Sequence, residues 1–141
     1  MVGSSGQSRL SYIDVLTHSQ LAVYAVWDEP DQRLGRLAIL NLVKRNSSTS
    51  AADADAVAAN IDLSPYLLGG EAKVKRMTAP GIDSTDTQTA TWAGQNYVNE
   101  TAAGVEPVEE NQNGFVRFLG SEAVLVFLQQ SGDSELHLYA Q

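Results

Sequence analysis

The chain has 141 residues, a hydrophobic content of 43% and a formal net charge of −8 at pH 7, which suits one acidic domain that buries about two thirds of its unfolded surface. Nine basic residues against seventeen acidic ones create no positive field for phosphate groups, which argues against nucleic acid or an anionic membrane as a partner. Cysteine is absent, so disulfides, thiolate metal sites and cysteine catalysis are excluded.

The first ten residues lack the features of a packed element. Gly3-Ser4-Ser5-Gly6 is flexible and polar, which is typical of a frayed terminus or a junction. We expect a flexible junction over residues 1–10, a single domain over residues 11–141, and the first regular structure near Tyr12. The segment has no apolar h-region of a secretory signal, and no run in the chain reaches the roughly 18 apolar residues of a membrane helix.

Residues 21–43 have the pattern of a β-hairpin. In LAVYAVWD, residues 21–28, the alternate positions from Leu21 to Trp27 form one apolar face, and Ala22, Tyr24 and Val26 form the other. A strand that is apolar on both faces is typical of the interior of a sheet. Residues 29–32, EPDQ, predict a turn, and RLAILNLV at 36–43 predicts the second strand.

The next segments have weaker signals. Residues 46–60 are rich in Ser, Ala and Asn. The Ala-rich half could form a helical turn, but we predict mostly loop, because no apolar stripe is long enough to dock a helix. Pro65 lies within residues 61–68 and predicts an edge strand or an extended arm, since proline cannot donate to a ladder. Residues 72–78 alternate and predict a strand whose exposed face carries charge.

The C-terminal part predicts short strands separated by turns. Asn113-Gly114 is a strong turn signal, and the strands are predicted at 115–119, 123–128 and 136–139. Short β-type runs punctuated by Gly, Pro, Asn and Asp, without an amphipathic helix, predict an all-β fold. We expect an antiparallel two-sheet β-sandwich of about seven or eight short strands.

No arrangement of residues in the sequence predicts catalysis or metal binding. Neither His18 nor His137 has a Cys, Asp or Glu at ligand spacing, and no phosphate loop or serine elbow is present. Two acidic groups fall in polar loops, where solvated charge explains them better than a paired-carboxylate or calcium site, because such sites need rigid support. These groups are Asp83 with Asp86, and Glu106 with Glu109 and Glu110. We therefore expect no catalytic residue, no metal and no cofactor.

The aromatic residues are the other candidates for function. Trp92, Tyr97 and Tyr66 have rings that could stack on a sugar or pack on another domain. For Trp92 we favour a core or docking role, because Ala93 and Gly94 beside it allow a neighbouring backbone to approach closely.

Two tripeptides fit the N-glycosylation pattern in predicted loops, at Asn46 and at Asn99. Glycosylation occurs on secreted proteins. These sequons favour an extracellular parent protein, although the chain shows no signal peptide of its own.

Two motifs resemble one known domain. KRMTAPG at 75–81 and TWAGQ at 91–95 are similar to the C-terminal β-domain of glycoside hydrolase family 79, the β-glucuronidases related to heparanase. The hairpin at 21–43, with Asn41 after an apolar run, and GSSGQS at 3–8 also resemble that domain. The resemblance covers nearly the whole chain.

The resemblance implies an accessory domain and no catalysis by the chain itself. In the family, the catalytic glutamates lie on a (β/α)8 barrel of about 250 residues, so they have no counterparts here. The expected partner is that barrel, which the sandwich packs against and stabilises. We expect docking or carbohydrate contacts from Trp92, Gln95, Asn96 and Tyr97. The alternatives are a free-standing carbohydrate-binding module that uses the loop aromatics, and an assembly sandwich without sugar.

Overall fold

The structure is a computed structural model, and it describes residues 8–15, 19–28, 33–67, 70–86, 88–98, 101–104, 107, 109–110 and 114–129. Within these ranges the chain is mostly β-strand and all pairings are antiparallel, which confirms the predicted all-β class. The elements are β1 Ser8–Ile13, β2 Leu21–Asp28, β3 Arg33–Asn41, α1 Ala51–Ala56, β4 Ala59–Asp62, α2 Ser64–Leu67, β5 Glu71–Thr78, β6 Thr91–Trp92, β7 Asn96–Val98, β8 Thr101–Ala103, β9 Glu109–Glu110, β10 Phe115–Phe118 and β11 Ala123–Gln129.

A seven-stranded sheet forms the main layer. Its order is β1-β2-β3-β11-β5-β6, and β9 also pairs with β5. The predicted hairpin of β2 and β3 is present, with a register shift between Val26 and Trp27. The last strand, β11, inserts between β3 and β5, so strands that are distant in sequence make up the centre of the sheet.

The core lies between this sheet and a smaller second layer. β4 and β10 form a two-stranded sheet, and Val116 and Phe118 from β10 are buried against Val23, Ile39 and other residues of the large sheet. α2 adds Leu67 to the same core. Burying apolar residues between two sheets is the main stabilising force of a sandwich. A third pair, β7 and β8, forms a separate two-stranded hairpin.

The first strand starts earlier than predicted. β1 begins at Ser8, within the segment 1–10 that we expected to be a flexible junction, and not near Tyr12. The physical reason is that the backbone of Ser8 and its neighbours pairs with the end of β2 as far as Asp28. Ladder hydrogen bonds order a chain whatever its side-chain composition.

Within residues 46–60, which we predicted to be mostly loop with an optional helical turn, the Ala-rich half forms the short helix α1. Ser50 caps this helix, because its side chain accepts a hydrogen bond from the backbone N–H of Asp53 (3.2 Å) and its Oγ donates to the Asp53 carboxylate (2.7 Å). Serine at the N-cap satisfies a donor that the helix leaves unpaired. Ala54 is buried, so a single apolar contact is enough for this short helix.

The strand or arm predicted around Pro65 is also corrected. Pro65 lies in the first turn of α2, where its missing N–H costs nothing because that donor has no partner within a helix. The carboxylate of Asp62 accepts a hydrogen bond from the backbone N–H of Ser64 (2.9 Å). The extended segment instead lies before the proline, in β4.

Several predictions fall outside the described residues. They concern the turn at 29–32, the strand at 136–139, and His18, His137 and Asn113. Neither helix in the described part of the chain is long and apolar enough to cross a membrane.

Candidate docking surfaces

Trp92-Ala93-Gly94-Gln95 forms a tight turn between β6 and β7. The backbone N–H of Trp92 donates to the carbonyl of Gln95 (2.8 Å), and the N–H of Gln95 donates back to the carbonyl of Trp92 (2.9 Å). The two central residues have positive φ, 50° at Ala93 and 78° at Gly94. This pattern matches the two-residue hairpin turns in which both central residues are left-handed.

The side chains of this turn have partners inside the domain. Ala93 is 1% exposed, and its N–H donates to the carbonyl of Arg76 on β5 (2.8 Å). The Gln95 amide donates to the Gly104 carbonyl (3.4 Å), and the Asn96 amide donates to the Gln88 carbonyl (3.0 Å). Trp92 is half-buried and pairs with Met77 across the sheet edge.

The predicted site residues Trp92, Gln95 and Asn96 therefore lie together and stabilise the hairpin. The side chain of Tyr97 is outside what the structure describes. Docking or sugar contact by these four residues stays a prediction.

The acidic candidates are also tied to neighbouring backbone or to basic side chains. Asp83 accepts from the N–H of Ser47 (2.7 Å) and from its hydroxyl (2.9 Å), and these bonds hold the pKa of Asp83 below its ordinary value of 3.8. Asp86 accepts from the N–H of Gln88 (2.9 Å). Glu109 pairs with Arg76 (2.7 Å).

These contacts hold the described candidate carboxylates to neighbouring parts of the fold. Glu106 and the side chain of Glu110 are outside the described residues. Within the described part, no group of three or more His, Cys, Asp or Glu side chains could hold a metal ion.

Arg45 is a central residue that the sequence reasoning missed. Its guanidinium donates to the carbonyls of Ala79 (2.7 Å), Pro80 (2.8 Å) and Gly120 (3.1 Å), and lies 3.7 Å from the Glu122 carboxylate. The two charged side chains are 12% and 9% exposed. A planar fork with five donors suits this task, because it can satisfy several carbonyls at once.

The backbone around Arg45 binds the same loop. The carbonyl of Arg45 accepts from the N–H of Ile82 (2.9 Å), and the next loop residue, Asp83, binds Ser47 as described above. Gly81 lies so close to the backbone of Asn46 and Ser47 that a Cβ there would overlap it. The Ala79-Pro80-Gly81 motif is therefore a packed turn held by Arg45.

The large sheet has an outer face on the side away from the core. Cross-strand partners share a face, so the pairings give three rows of side chains across the sheet. We call this set the outer face, and from β1 to β5 its rows are Leu10-Val26-Arg36-Phe127-Lys73, Tyr12-Tyr24-Ala38-Leu125-Lys75 and Ala22-Leu40-Ala123-Met77.

Apart from Arg36, Lys73 and Lys75, the outer face is apolar and open. Leu10 is 65% exposed, Tyr12 58% and Met77 55%, and the apolar residues nearer the centre are all partly accessible. The ring of Tyr12 meets that of Tyr24 edge to face, with centroids 5.6 Å apart. In the described part of the chain, the second sheet and α2 pack on the opposite side, so no described element covers this face.

A groove of about 570 Å³ opens at one end of the sheet, between the ends of β2 and β3 and the segment after α1. The Asn41 side chain lines it and is 3% exposed. Its amide donates to the carbonyl of Val57 (3.0 Å), and its oxygen accepts from the N–H of Val43 (3.1 Å). Because both ends of the amide bind backbone groups of the domain and the side chain is buried, Asn41 serves the fold.

Comparison with known families gives a match over most of the chain. Residues 23–125 match the glycosyl hydrolase family 79 C-terminal beta domain. The chain belongs to this family. The match includes both motifs that carried the resemblance, at 75–81 and 91–95, and the resemblance is thereby confirmed.

One solved structure with the same fold is a 4-O-alpha-L-rhamnosyl-beta-D-glucuronidase from Fusarium oxysporum 12S, in its Rha-GlcA complex. The two are 25% identical, with a TM-score of 0.64, and the match covers 84% of this chain but 26% of that chain. This family 79 C-terminal domain thus corresponds to about a quarter of that glucuronidase. The comparison with curated proteins gave no match.

Proposed function

We propose that this chain is the non-catalytic accessory β-domain of a β-glucuronidase-like hydrolase, and that it packs against and stabilises a (β/α)8 catalytic domain. The observation that carries the proposal is the coverage: the domain accounts for 26% of a glucuronidase chain of the same fold. The remaining part of such an enzyme is long enough for a barrel of about 250 residues.

The described side chains support a role without catalysis. Retaining glycosidases need two carboxyl groups about 5 to 5.5 Å apart across the scissile bond. The described candidate carboxylates instead bind serine, backbone N–H groups or arginine: Asp83 binds Ser47, Asp86 binds Gln88 and Glu109 binds Arg76. No activity is expected from this chain alone.

The test is to find the catalytic partner and to measure how the domain changes its melting temperature. We expect the coding sequence upstream of Met1, or a neighbouring gene, to encode a barrel with a glutamate pair. The barrel joined to this domain should melt at a higher temperature than the barrel alone, and only the barrel should hydrolyse aryl β-glucuronides. A barrel whose melting temperature does not change when the domain is removed would contradict the proposal.

A carbohydrate-binding module is the alternative, and one titration separates the two. The chain has two tryptophans, so a Trp27→Phe variant leaves Trp92 as the only fluorophore of its kind. Under the accessory-domain proposal, glucuronides at millimolar concentration leave the emission of Trp92 unchanged. A saturable change in the emission of Trp92 would favour the binding module instead.

We further propose that the parent protein is secreted and glycosylated. Asn46 is exposed in the loop after β3, and Ser48 of the same sequon is exposed as well. Asn99, the second sequon, is outside the described residues.

A further inference from the structure

We propose that the outer face of the large sheet is the surface on which the catalytic domain docks, and that the partner presents an apolar surface. This inference rests on the proposed function, because it assigns the surface of the domain that makes the contact. It places the main contact on the sheet, whose third row continues from Met77 to Trp92 on β6.

The first argument is the cost of leaving this face in water. A sheet that is apolar on a face is stable only when that face packs on another layer. The inner face of the sheet has its layer in β4, β10 and α2. The outer face has the same kind of residues, including Tyr24, Leu40 and Phe127, and the described chain offers nothing to cover it.

The second argument is the size of the patch. The apolar part spans four strands about 4.8 Å apart and three rows about 6.8 Å apart, which gives roughly 400 Å². Two such surfaces bury about 800 Å² in total, within the 600–1,500 Å² of interfaces between domains of one chain. Stable complexes between free proteins bury about 1,200–2,000 Å², so the area fits a covalently tethered partner better than a second copy of this chain.

The three cations of the outer face lie beside groups of the same domain. Arg36 pairs with the carboxylate of Asp28, and the row of Lys73 continues to Glu110 on β9. The ammonium of Lys75 lies over the ring of Phe127, 5.8 Å from its centroid. The inference therefore rests on the apolar side chains of the outer face and on their area.

The Gln95 and Asn96 amides fit a docking surface less well. Both already bind backbone carbonyls of the domain, and Ala93 beside them is buried. A partner that recruited these groups would first have to break hydrogen bonds that stabilise the hairpin.

The decisive experiment compares two exposed aromatic residues on opposite sides of the domain. Tyr12→Lys alters the outer face at a side chain that is 58% exposed, and Phe115→Lys alters β10 at a side chain that is 56% exposed. Both are made in the longer hydrolase chain and in the 141-residue chain. The 141-residue chain should keep its melting temperature in both variants, because each residue is mostly solvated already.

In the longer hydrolase, Tyr12→Lys should remove at least half of the rise in melting temperature that the domain gives the barrel, and Phe115→Lys should leave that rise intact. The reverse result, or equal effects, overturns the inference. A barrel that is indifferent to deletion of the whole domain refutes the proposed function instead, so the two failures are distinguishable.

Light scattering on the 141-residue chain tests whether a second copy of the chain, and not the barrel, covers the outer face. We expect a monomer at micromolar concentration. A dimer that Tyr12→Lys dissociates and Phe115→Lys does not would assign the outer face to a second copy and overturn docking of the barrel.

Discussion

Replacing Arg45 by alanine tests whether a single side chain holds the loops at one end of the sandwich. The change removes three hydrogen bonds from a charged donor, to Ala79, Pro80 and Gly120, and leaves the Glu122 carboxylate, which is 9% exposed, without its cation. Net hydrogen bonds from charged groups contribute about 1.5–3 kcal/mol each, and breaking a buried ion pair costs about 3–5 kcal/mol. The measured cost of removing one partner of a buried pair already includes its accompanying hydrogen bonds, so we take that range and expect a loss of about 3–5 kcal/mol.

Urea denaturation and thermal unfolding followed by circular dichroism measure this loss. For a domain of this size it corresponds to a fall of about 10 °C in melting temperature, a large part of a total stability of about 5–15 kcal/mol. Lys44→Ala is the matched control, because Lys44 is adjacent and exposed, and such surface changes stay within about 0.5 kcal/mol. Arg45→Lys should fall between the two, since one ammonium cannot span all three carbonyls.

A second variant separates the ion pair from the carbonyl contacts. Glu122 also accepts from the N–H of Leu119 (2.8 Å), and Glu122→Gln preserves an acceptor for that bond. Combined with Arg45→Ala, it should recover part of the lost stability because the unpaired charge is gone. A loss below about 1 kcal/mol for Arg45→Ala, or an equal loss for Lys44→Ala, would refute the reasoning.

Four further changes test separate contacts. Gly81→Ala should destabilise by more than about 2 kcal/mol in urea, because its Cβ would overlap the backbone of Asn46 and Ser47; a neutral result would contradict the packed turn. Gly94→Ala should cost about 1 kcal/mol at its φ of 78°, whereas Ala93→Gly should be nearly neutral. Asp83 contributes stability above pH 3.8 and loses it as the pH falls through its lowered pKa. Asp83→Asn should therefore reduce the fall in melting temperature below pH 4. The same fall in the variant and the original chain would contradict a contribution from Asp83. Asn46→Gln should abolish one glycan on the chain expressed through a eukaryotic secretory pathway, and an identical glycan count on a denaturing gel would exclude this sequon.

The strands that the sequence predicted best are those with regular alternation. Residues 21–28 match β2, and the strands predicted at 36–43, 72–78 and 123–128 overlap β3, β5 and β11. In each case one set of alternate side chains is buried in the core, which is the property that produces the pattern. Their order in the sheet could not be predicted, because β11 joins β3 to β5 through contacts of long sequence separation.

The features that the sequence predicted weakly or not at all depend on single contacts. α1 forms because Ser50 caps it and Ala54 is buried, and six residues are too few to produce a helical period. Arg45 follows Lys44 in an ordinary basic pair, and nothing local indicates that its side chain reaches residues 79–80 and 120. Such long-range polar contacts arise only when the fold brings the loops together.

The candidate site was likewise predicted only in part from the sequence. The sequence singled out Trp92-Ala93-Gly94-Gln95 as a distinctive run, and the structure explains the pattern by the backbone, since both central residues adopt positive φ. A motif that turns the chain can be as distinctive as one that binds a ligand. The Gln95 and Asn96 amides then stabilise the hairpin, which is a structural reason for their presence.

The apolar second face of β2 was visible in the sequence, and its meaning depends on the architecture. Ala22, Tyr24 and Val26 predicted a strand in the interior of a sheet with both faces covered. The strand is interior by its pairing with β1 and β3, yet one of its faces is open in the described chain. Burial of about 400 Å² at 25 cal/mol per Å² amounts to roughly 10 kcal/mol of apolar transfer energy, comparable to the whole stability of a domain. A partner that covers this surface explains its apolar composition better than chance does. The comparison of the Tyr12→Lys and Phe115→Lys variants tests that explanation directly.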